Sequence, residues 1–142
     1  MTEPTTRILL ADDHELVRHG LRLTLEAQPD LRVLAEVGDG AAAVHAALSS
    51  DIDLAVLDVT MPRLTGIQAG RQITEQRPGV RVVMLSRHED EQLFFEALRA
   101  GASGYVLKSA AQHDLVAACR AAVRGEPFLY PKGVSALLRS WM

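Results

Sequence analysis

The strongest constraint on the fold is a repeated pattern in which an apolar run of strand length ends in a polar side chain. Four runs share this pattern: residues 8–11 before Asp12, 54–57 before Asp58, 82–85 before Ser86 and 105–107 before Lys108. Near-continuous apolar strands are typical of a parallel sheet that is covered on both faces. In such sheets functional groups gather outside the carboxyl ends of the strands. The sequence therefore predicts one site at one edge of a sheet.

Strand and helix patterns alternate five times, with short connections. Strands are predicted at residues 7–12, 31–37, 51–58, 81–86 and 104–108. Helices are predicted at residues 15–27, 66–77, 89–100 and 111–124, together with an alanine-rich helix after Gly40. Thr65 is a candidate N-cap. This alternation favours right-handed βαβ units and a doubly wound, five-stranded α/β domain.

The character of the chain changes after Gly125, so we predict a domain over residues 1–125 and a linker over residues 126–142. Residues 1–6 are expected to form a loose leader. In the linker, Val134, Leu137, Leu138 and Trp141 follow helical spacing and predict a short amphipathic helix. Its apolar face needs a partner: the same domain, a second copy, or a segment beyond this chain.

Composition excludes several classes of protein. A chain of 142 residues with 48% hydrophobic residues fits one domain with a single core. A net charge of −3 with interspersed signs gives no electrostatic footprint for nucleic acid or an anionic membrane. The N-terminus lacks a signal-peptide core, and the single Cys119 excludes an internal disulfide and is expected to be an inert core thiol. We expect a soluble cytoplasmic protein.

The polar residues at the predicted strand ends suit phosphoryl chemistry. Asp12, Asp13 and Asp58 repel one another at close range unless a cation joins them, and hard oxygen ligands suit Mg²⁺. Lys108 would add a fixed positive charge and Ser86 a hydroxyl donor. Because Asp58 is ionised at neutral pH, its carboxylate can accept a phosphoryl group without a base. The residues thus predict an aspartyl phosphate at position 58.

These motifs carry a family resemblance. They are Asp12-Asp13, Asp58 followed by Met61-Pro62 and Gly66, Ser86, and Gly104-Tyr105-Val106-Leu107-Lys108. Over residues 7–125 the chain resembles the response-regulator receiver domain of bacterial two-component systems. Residues 86–91 and 107–110 are most similar to the NarL/FixJ/LuxR-type subfamily. Members of that subfamily usually join the receiver to a helix-turn-helix DNA-binding domain.

The resemblance implies a flavodoxin-like sheet in the order 2-1-3-4-5, with five helices and a short C-terminal linker helix. It implies that Asp58 is the phosphoacceptor for a sensor histidine kinase and that Lys108 pairs with the phosphoryl group. Mg²⁺ would be ligated by Asp13, Asp58 and the backbone carbonyl of Thr60. Asp12 would act through metal-bound water.

The same resemblance implies a switch rather than an enzyme, although the domain assists its own phosphorylation. Ser86 would turn toward the phosphoryl group and Tyr105 would change rotamer. A homodimer would form on activation, and DNA would be bound only through a helix-turn-helix domain that this chain lacks, for transcription regulation.

Two departures from the family pattern stand out. Ser109 replaces a frequent proline after the lysine, and the long Arg87 is expected to obstruct the phosphate entrance.

Two other functions compete with this interpretation. A phosphatase of the haloacid-dehalogenase type also forms an aspartyl phosphate, but it needs a carboxylate two residues later, where Thr60 stands. The other alternative is a stand-alone or unphosphorylated receiver-like interaction module. His14, beside the acid pair, is expected to serve the loop or a helix N-cap more than a metal.

Overall fold

The computed structural model describes residues 5–142. The strands are β1 (Thr6–Ala11), β2 (Leu31–Val37), β3 (Leu54–Asp58), β4 (Arg81–Ser86), β5 (Gly104–Leu107) and β6 (Phe128–Leu129). The helices are α1 (Glu15–Glu26), α2 (Gly40–Ser49), α3 (Gly66–Gln76), α4 (Glu91–Arg99), α5 (Ala111–Val123) and α6 (Pro131–Trp141). A 3₁₀ turn, Lys108–Ala110, joins β5 to α5.

The strands form one parallel sheet in the order β2-β1-β3-β4-β5-β6. The flavodoxin-like order is therefore confirmed, but the predicted count of five strands is wrong. The sixth strand arises because Phe128 pairs with Gly104 and Leu129 with Tyr105 along the outer edge of β5. A two-residue strand is too short for a hydrophobic pattern to reveal it.

The sheet separates two hydrophobic layers. Strand residues with alternating directions supply both: Leu9, Leu57 and Met84 belong to the layer under α2, α3 and α4. Ile8, Leu10, Val56 and Leu85 belong to the layer under α1 and α5. Every residue of β3 is buried, as the near-continuous apolar run predicted. Because both faces of the central strands are covered, polar groups can reach solvent only at the strand ends.

The connection from β3 to α3 is held close to the end of the sheet. Thr65 caps α3 in a capping box with Gln68, which confirms the predicted N-cap. Gly66 donates its backbone N–H to the Val59 carbonyl at 2.9 Å. A Cβ at Gly66 would lie 1.8 Å from the carbonyl oxygen of Asp58. The helix can begin this close to Asp58 only because residue 66 has no side chain.

The predicted tail helix is present as α6, but its apolar stripe is not covered. Gly133 and Ala136 are buried, whereas all four stripe residues are exposed: Val134, Leu137, Leu138 and Trp141. A Cβ at Gly133 would lie 2.8 Å from the Tyr130 ring and 3.0 Å from the Phe94 ring, so this glycine allows the helix to pack closely there. Two ion pairs join this helix to the α4 region, Lys132–Glu89 at 3.1 Å and Arg139–Glu91 at 2.7 Å.

The expected loose leader is only partly within the described residues. Residues 1–4 lie outside them, and Thr6 is the first residue of β1, so the prediction is wrong at that position. The Thr6 backbone N–H donates to the Asp30 carbonyl at 2.8 Å, which extends the pairing beside β2. Across residues 5–142, none of the helices has the length and apolar character that crossing a membrane requires.

Candidate functional site

Acidic side chains from two strand ends meet at the carboxyl edge of the sheet. Asp12 follows β1 and Asp58 ends β3, and both are fully buried. Asp13 and His14 lie beside them in the loop before α1. One ligand atom from each of these four residues lies within 4.8 Å of those of the other three. The predicted convergence of the three carboxylates is therefore found in the structure.

Lys108 supplies the positive charge inside this cluster. Its Nζ lies 2.8 Å from Asp12 Oδ2 and 2.9 Å from Asp58 Oδ2, and its side chain is 11% exposed. The 3₁₀ turn that begins at Lys108 follows β5 directly, so the lysine is carried to the same edge as the acids. One ammonium group thus bridges the two fully buried carboxylates.

The electrostatics of Asp58 follow from its burial. The pKa of Asp58 is raised to about 6; desolvation by burial is the largest cause, and the nearby Asp12 charge acts in the same direction. The hydrogen bond from Lys108 and the Thr60 backbone N–H, which donates to Asp58 Oδ1 at 3.2 Å, oppose this shift in pKa. The carboxylate is therefore ionised at neutral pH only through close support from its cation and donors.

Ser86 ends the strand next to β3, and its hydroxyl is bonded to its own loop. It ends β4 and is buried. Its Oγ donates to the His88 carbonyl at 2.9 Å and accepts from the His88 N–H at 3.2 Å. The hydroxyl must release the His88 carbonyl before its single proton can be donated to a group on Asp58.

Tyr105 lies inside the protein rather than at the surface. It is fully buried on β5 and packs edge-to-face against Phe94, with ring centroids 5.1 Å apart. Its hydroxyl lies near the Ser86 side chain, which acts on it as a hydrogen-bonding neighbour. Burial raises the pKa of Tyr105.

The structure adds a pair of residues that sequence reasoning did not combine. The His14 backbone N–H donates to Asp12 Oδ1 at 2.9 Å, and its side chain does not cap α1. Its ring nitrogens lie 2.6 and 2.8 Å from Arg87 Nη2, which is also 4.0 Å from Asp13 Oδ1. In the sequence, His14 follows Asp13 and Arg87 follows Ser86, which places both residues near the predicted site. Their contact could not be predicted, because strand patterns do not predict loop conformation.

The donor set fits a hard divalent cation. Three carboxylates face one lysine, which leaves negative charge unbalanced. Oδ2 of Asp12 is buried, and the Lys108 ammonium lies 2.8 Å from it. Oxygen ligands around a partly open position are the preferred environment of Mg²⁺. The acidic cluster can therefore hold such an ion.

Comparisons with known sequences agree with this geometry. The sequence profile of the response regulator receiver domain matches residues 8–120. The uncharacterized transcriptional regulatory protein YxjL of Bacillus subtilis is 41% identical over 126 residues, covering 89% of this chain and 58% of that protein. The transcriptional regulatory protein LiaR of the same organism is 38% identical over 126 residues, covering 89% and 60%. The chain thus spans less than two thirds of these relatives' length.

Solved structures show the same similarity. A two-component response regulator of the LuxR family from Aurantimonas sp. SI85-9A1 superposes with a TM-score of 0.90 at 34% identity, covering 96% of this chain and 98% of that one. The signal receiver domain of the putative response regulator NarL from Mycobacterium tuberculosis gives a TM-score of 0.83 at 30% identity, covering 87% and 100%. The chain therefore belongs to the response regulator receiver domain family and is of the NarL/FixJ type.

Proposed function

We propose that this domain accepts a phosphoryl group on Asp58 from a sensor histidine kinase and changes conformation to control a DNA-binding output. The observation that carries the proposal is the position of Lys108. Its ammonium contacts both buried carboxylates, at 2.8 Å and 2.9 Å. A fixed cation beside a buried carboxylate is suited to neutralise charge on a group transferred to that carboxylate.

The transfer needs positioning more than covalent assistance. A carboxylate oxygen of Asp58 forms the new bond to phosphorus while the bond from phosphorus to the donor's leaving nitrogen breaks. Lys108 remains within hydrogen-bond distance of the reacting carboxylate and can follow the charge onto the phosphoryl oxygens. The Thr60 backbone N–H, 3.2 Å from Asp58 Oδ1, holds the other oxygen in place.

The residues that would hold Mg²⁺ are Asp13, Asp58 and the backbone carbonyl of Thr60, with Asp12 acting through a bound water. When bound, the ion would supply positive charge for the incoming phosphoryl oxygens. Asp12 and Asp58 are buried while Asp13 is exposed, so the pocket is open on the Asp13 side. That side is the approach for a donor.

The conformational response would begin at Ser86. Its single proton can be donated to the phosphoryl group only after the bond to the His88 carbonyl is released, which frees the loop between β4 and α4 to move. An aspartyl phosphate carries close to two negative charges, and each charge-assisted hydrogen bond contributes about 1.5–3 kcal/mol. Shifting a two-state equilibrium from mostly off to mostly on takes about 5.5 kcal/mol. About two to four such bonds made only in the active state would supply this free energy, and Tyr105 would reposition with them.

In our proposal, the DNA-binding domain that the receiver controls is not part of residues 1–142. Residues 1–125 form the receiver and residues 126–142 a linker toward a helix-turn-helix domain. The relatives named as transcriptional regulators are longer than this chain, since it covers 58% of YxjL and 60% of LiaR. RcsB, a protein of similar structure, is described as dimers bound to DNA. We infer a cytoplasmic regulator that dimerises on activation.

The test is phosphoryl uptake by the purified protein. Incubation with acetyl phosphate and Mg²⁺ should add one phosphoryl group by intact mass, and Asp58→Asn should abolish this addition. Asp114→Asn, a substitution on α5, is the matched control and should retain it. Absence of the adduct on the unaltered protein would support the unphosphorylated interaction module instead. Sustained release of phosphate from a phosphate ester would support the phosphatase alternative.

A further inference from the structure

Arg87 places a second cation on the rim of the acidic pocket. Its Nη2 lies 2.6 and 2.8 Å from the two ring nitrogens of His14 and 4.0 Å from Asp13 Oδ1. The guanidinium donates, so a ring nitrogen of His14 accepts. This contact joins the loop after β4 to the loop after β1, 73 positions apart in sequence. The arginine is therefore held across the open side of the pocket.

The charge of Arg87 acts on the acidic cluster. One ring nitrogen of His14 and one carboxylate oxygen from each of Asp12, Asp13 and Asp58 lie within 4.8 Å of one another, so a guanidinium at hydrogen-bond distance from that ring is close to each of them. Its distance from the Asp58 carboxylate is within about 8 Å, one Debye length at physiological ionic strength. The side chain is 44% exposed, so its field is partly screened but not lost.

Counting formal charges shows that Arg87 has opposite effects on two states of the pocket. Lys108 and one divalent cation together balance the three carboxylates of Asp12, Asp13 and Asp58. In that resting state, the guanidinium is an excess positive charge near the metal. An aspartyl phosphate replaces the single charge of Asp58 by nearly two. In that state, Arg87 offsets the excess negative charge.

We propose that Arg87 is a specificity-determining cation of this pocket, which weakens resting Mg²⁺ binding and favours an anionic phosphoryl group on Asp58. This inference rests on the proposed function. Arg87 is not required to bond the phosphoryl group directly, because the effect is that of a charge held near the site by His14. The pocket thereby favours the combination of metal and phosphoryl group over the metal alone.

The test compares two affinities in one variant. Arg87→Gln removes the charge and keeps a polar side chain. Titration calorimetry should show Mg²⁺ binding that is tighter by about three- to tenfold, the range of partly screened charge interactions. At saturating Mg²⁺, affinity for beryllofluoride, an anionic phosphoryl analogue, should weaken by a similar factor. Arg87→Lys should restore both affinities toward those of the unaltered protein, since it retains the charge.

The matched control is Arg124→Gln, which removes one positive charge at the other end of the molecule. Arg124 is the C-cap of α5 and pairs with Glu126 at 3.0 Å, whereas α5 begins beside Lys108. Neither affinity should change in this variant. Opposite shifts in the two affinities of Arg87→Gln are a result that simple loss of structure would not give, because loosening of the loops would weaken both.

Three outcomes would overturn the inference. They are weaker binding of both ligands by Arg87→Gln, no change in either affinity, and a change in only one. A different failure belongs to the proposed function itself: the unaltered protein would bind neither Mg²⁺ nor beryllofluoride. That result would remove the basis of both proposals and is recognised without any variant.

Discussion

Ionisation of the Asp58 carboxyl lowers the free energy of unfolding, because its pKa is raised in the folded state. It is fully buried beside a second buried carboxylate, and its pKa is raised to about 6, chiefly by desolvation. In the unfolded chain, the Asp58 carboxyl has the ordinary aspartate pKa of about 3.9. Because the folded state holds the proton more tightly, the contribution of Asp58 to stability is complete below the unfolded pKa. It is lost as pH rises through the folded pKa.

The pH dependence of an Asp58→Asn variant follows from this sign. In the presence of a metal chelator at pH 7, the free energy of unfolding of the variant should exceed that of the unaltered protein by about 1–3 kcal/mol. The difference should shrink as pH falls from about 6 to 4. Urea unfolding of both proteins across this range, followed by circular dichroism, measures it. A stability difference that is independent of pH would contradict the assigned pKa direction.

The β3–α3 connection shows how an element boundary positions the site. Replacing Gly66 with alanine would place a Cβ 1.8 Å from the Asp58 carbonyl oxygen, and that neighbour is backbone that cannot rotate away. We expect Gly66→Ala to lower the free energy of unfolding by at least about 2 kcal/mol, because either the helix or the strand end must shift. The shift would also disturb the Asp58 carboxylate.

Gly79→Ala is the matched control for this substitution, since a Cβ at Gly79 meets nothing within 4 Å. Its effect on the free energy of unfolding should stay within about 0.5 kcal/mol. Urea unfolding of both variants provides the comparison. Equal stabilities of the two variants would show that the close approach at Gly66 is not a constraint on the fold.

Most elements could be predicted from the sequence because their hydrophobic patterns are long. The strands at residues 31–37 and 81–86 match the prediction, and the helices differ from it by one or two residues at their ends. The third strand is shorter than predicted, since Asp51, Ile52 and Asp53 precede its start at Leu54. β6 was missed because two residues show no period.

The site was predictable to the extent that strand ends determine it. The convergence of Asp12, Asp58 and Lys108 follows from parallel strands that finish at one edge. The contact between His14 and Arg87 could not be predicted, since it depends on two loop conformations and on side-chain length. The exposed stripe on α6 was similarly undetermined: periodicity shows which face is apolar, not whether another surface covers it.

At the scale of the whole molecule, the tail (residues 126–142) is packed on the domain through an aromatic ring, strand pairing and ion pairs. Tyr130 is buried and packs against the rings of Phe94 and Tyr105, whose centroids are 5.3 and 5.6 Å away. It therefore joins the tail to the same aromatic group that contains the Tyr105 side chain. Strand β6 adds parallel pairing to β5, and α6 adds the ion pairs to the α4 region. These contacts should make the tail part of one cooperative unit rather than a detachable segment.

Tyr130→Ala tests whether the tail unfolds with the rest of the domain. If it does, removing this buried ring should lower the free energy of unfolding by about 2–4 kcal/mol, as for other large-to-small core substitutions. Trp141→Ala is the control from the same helix, where the side chain is 89% exposed, and it should change that free energy by no more than about 0.5 kcal/mol. Trp141 is also the only tryptophan, so its fluorescence anisotropy reports on the tail while circular dichroism reports on all helices. Coincident urea transitions by the two probes in the unaltered protein would support one cooperative unit. An earlier transition at Trp141, with a small effect of Tyr130→Ala on the main transition, would show that β6 and α6 detach before the sheet unfolds.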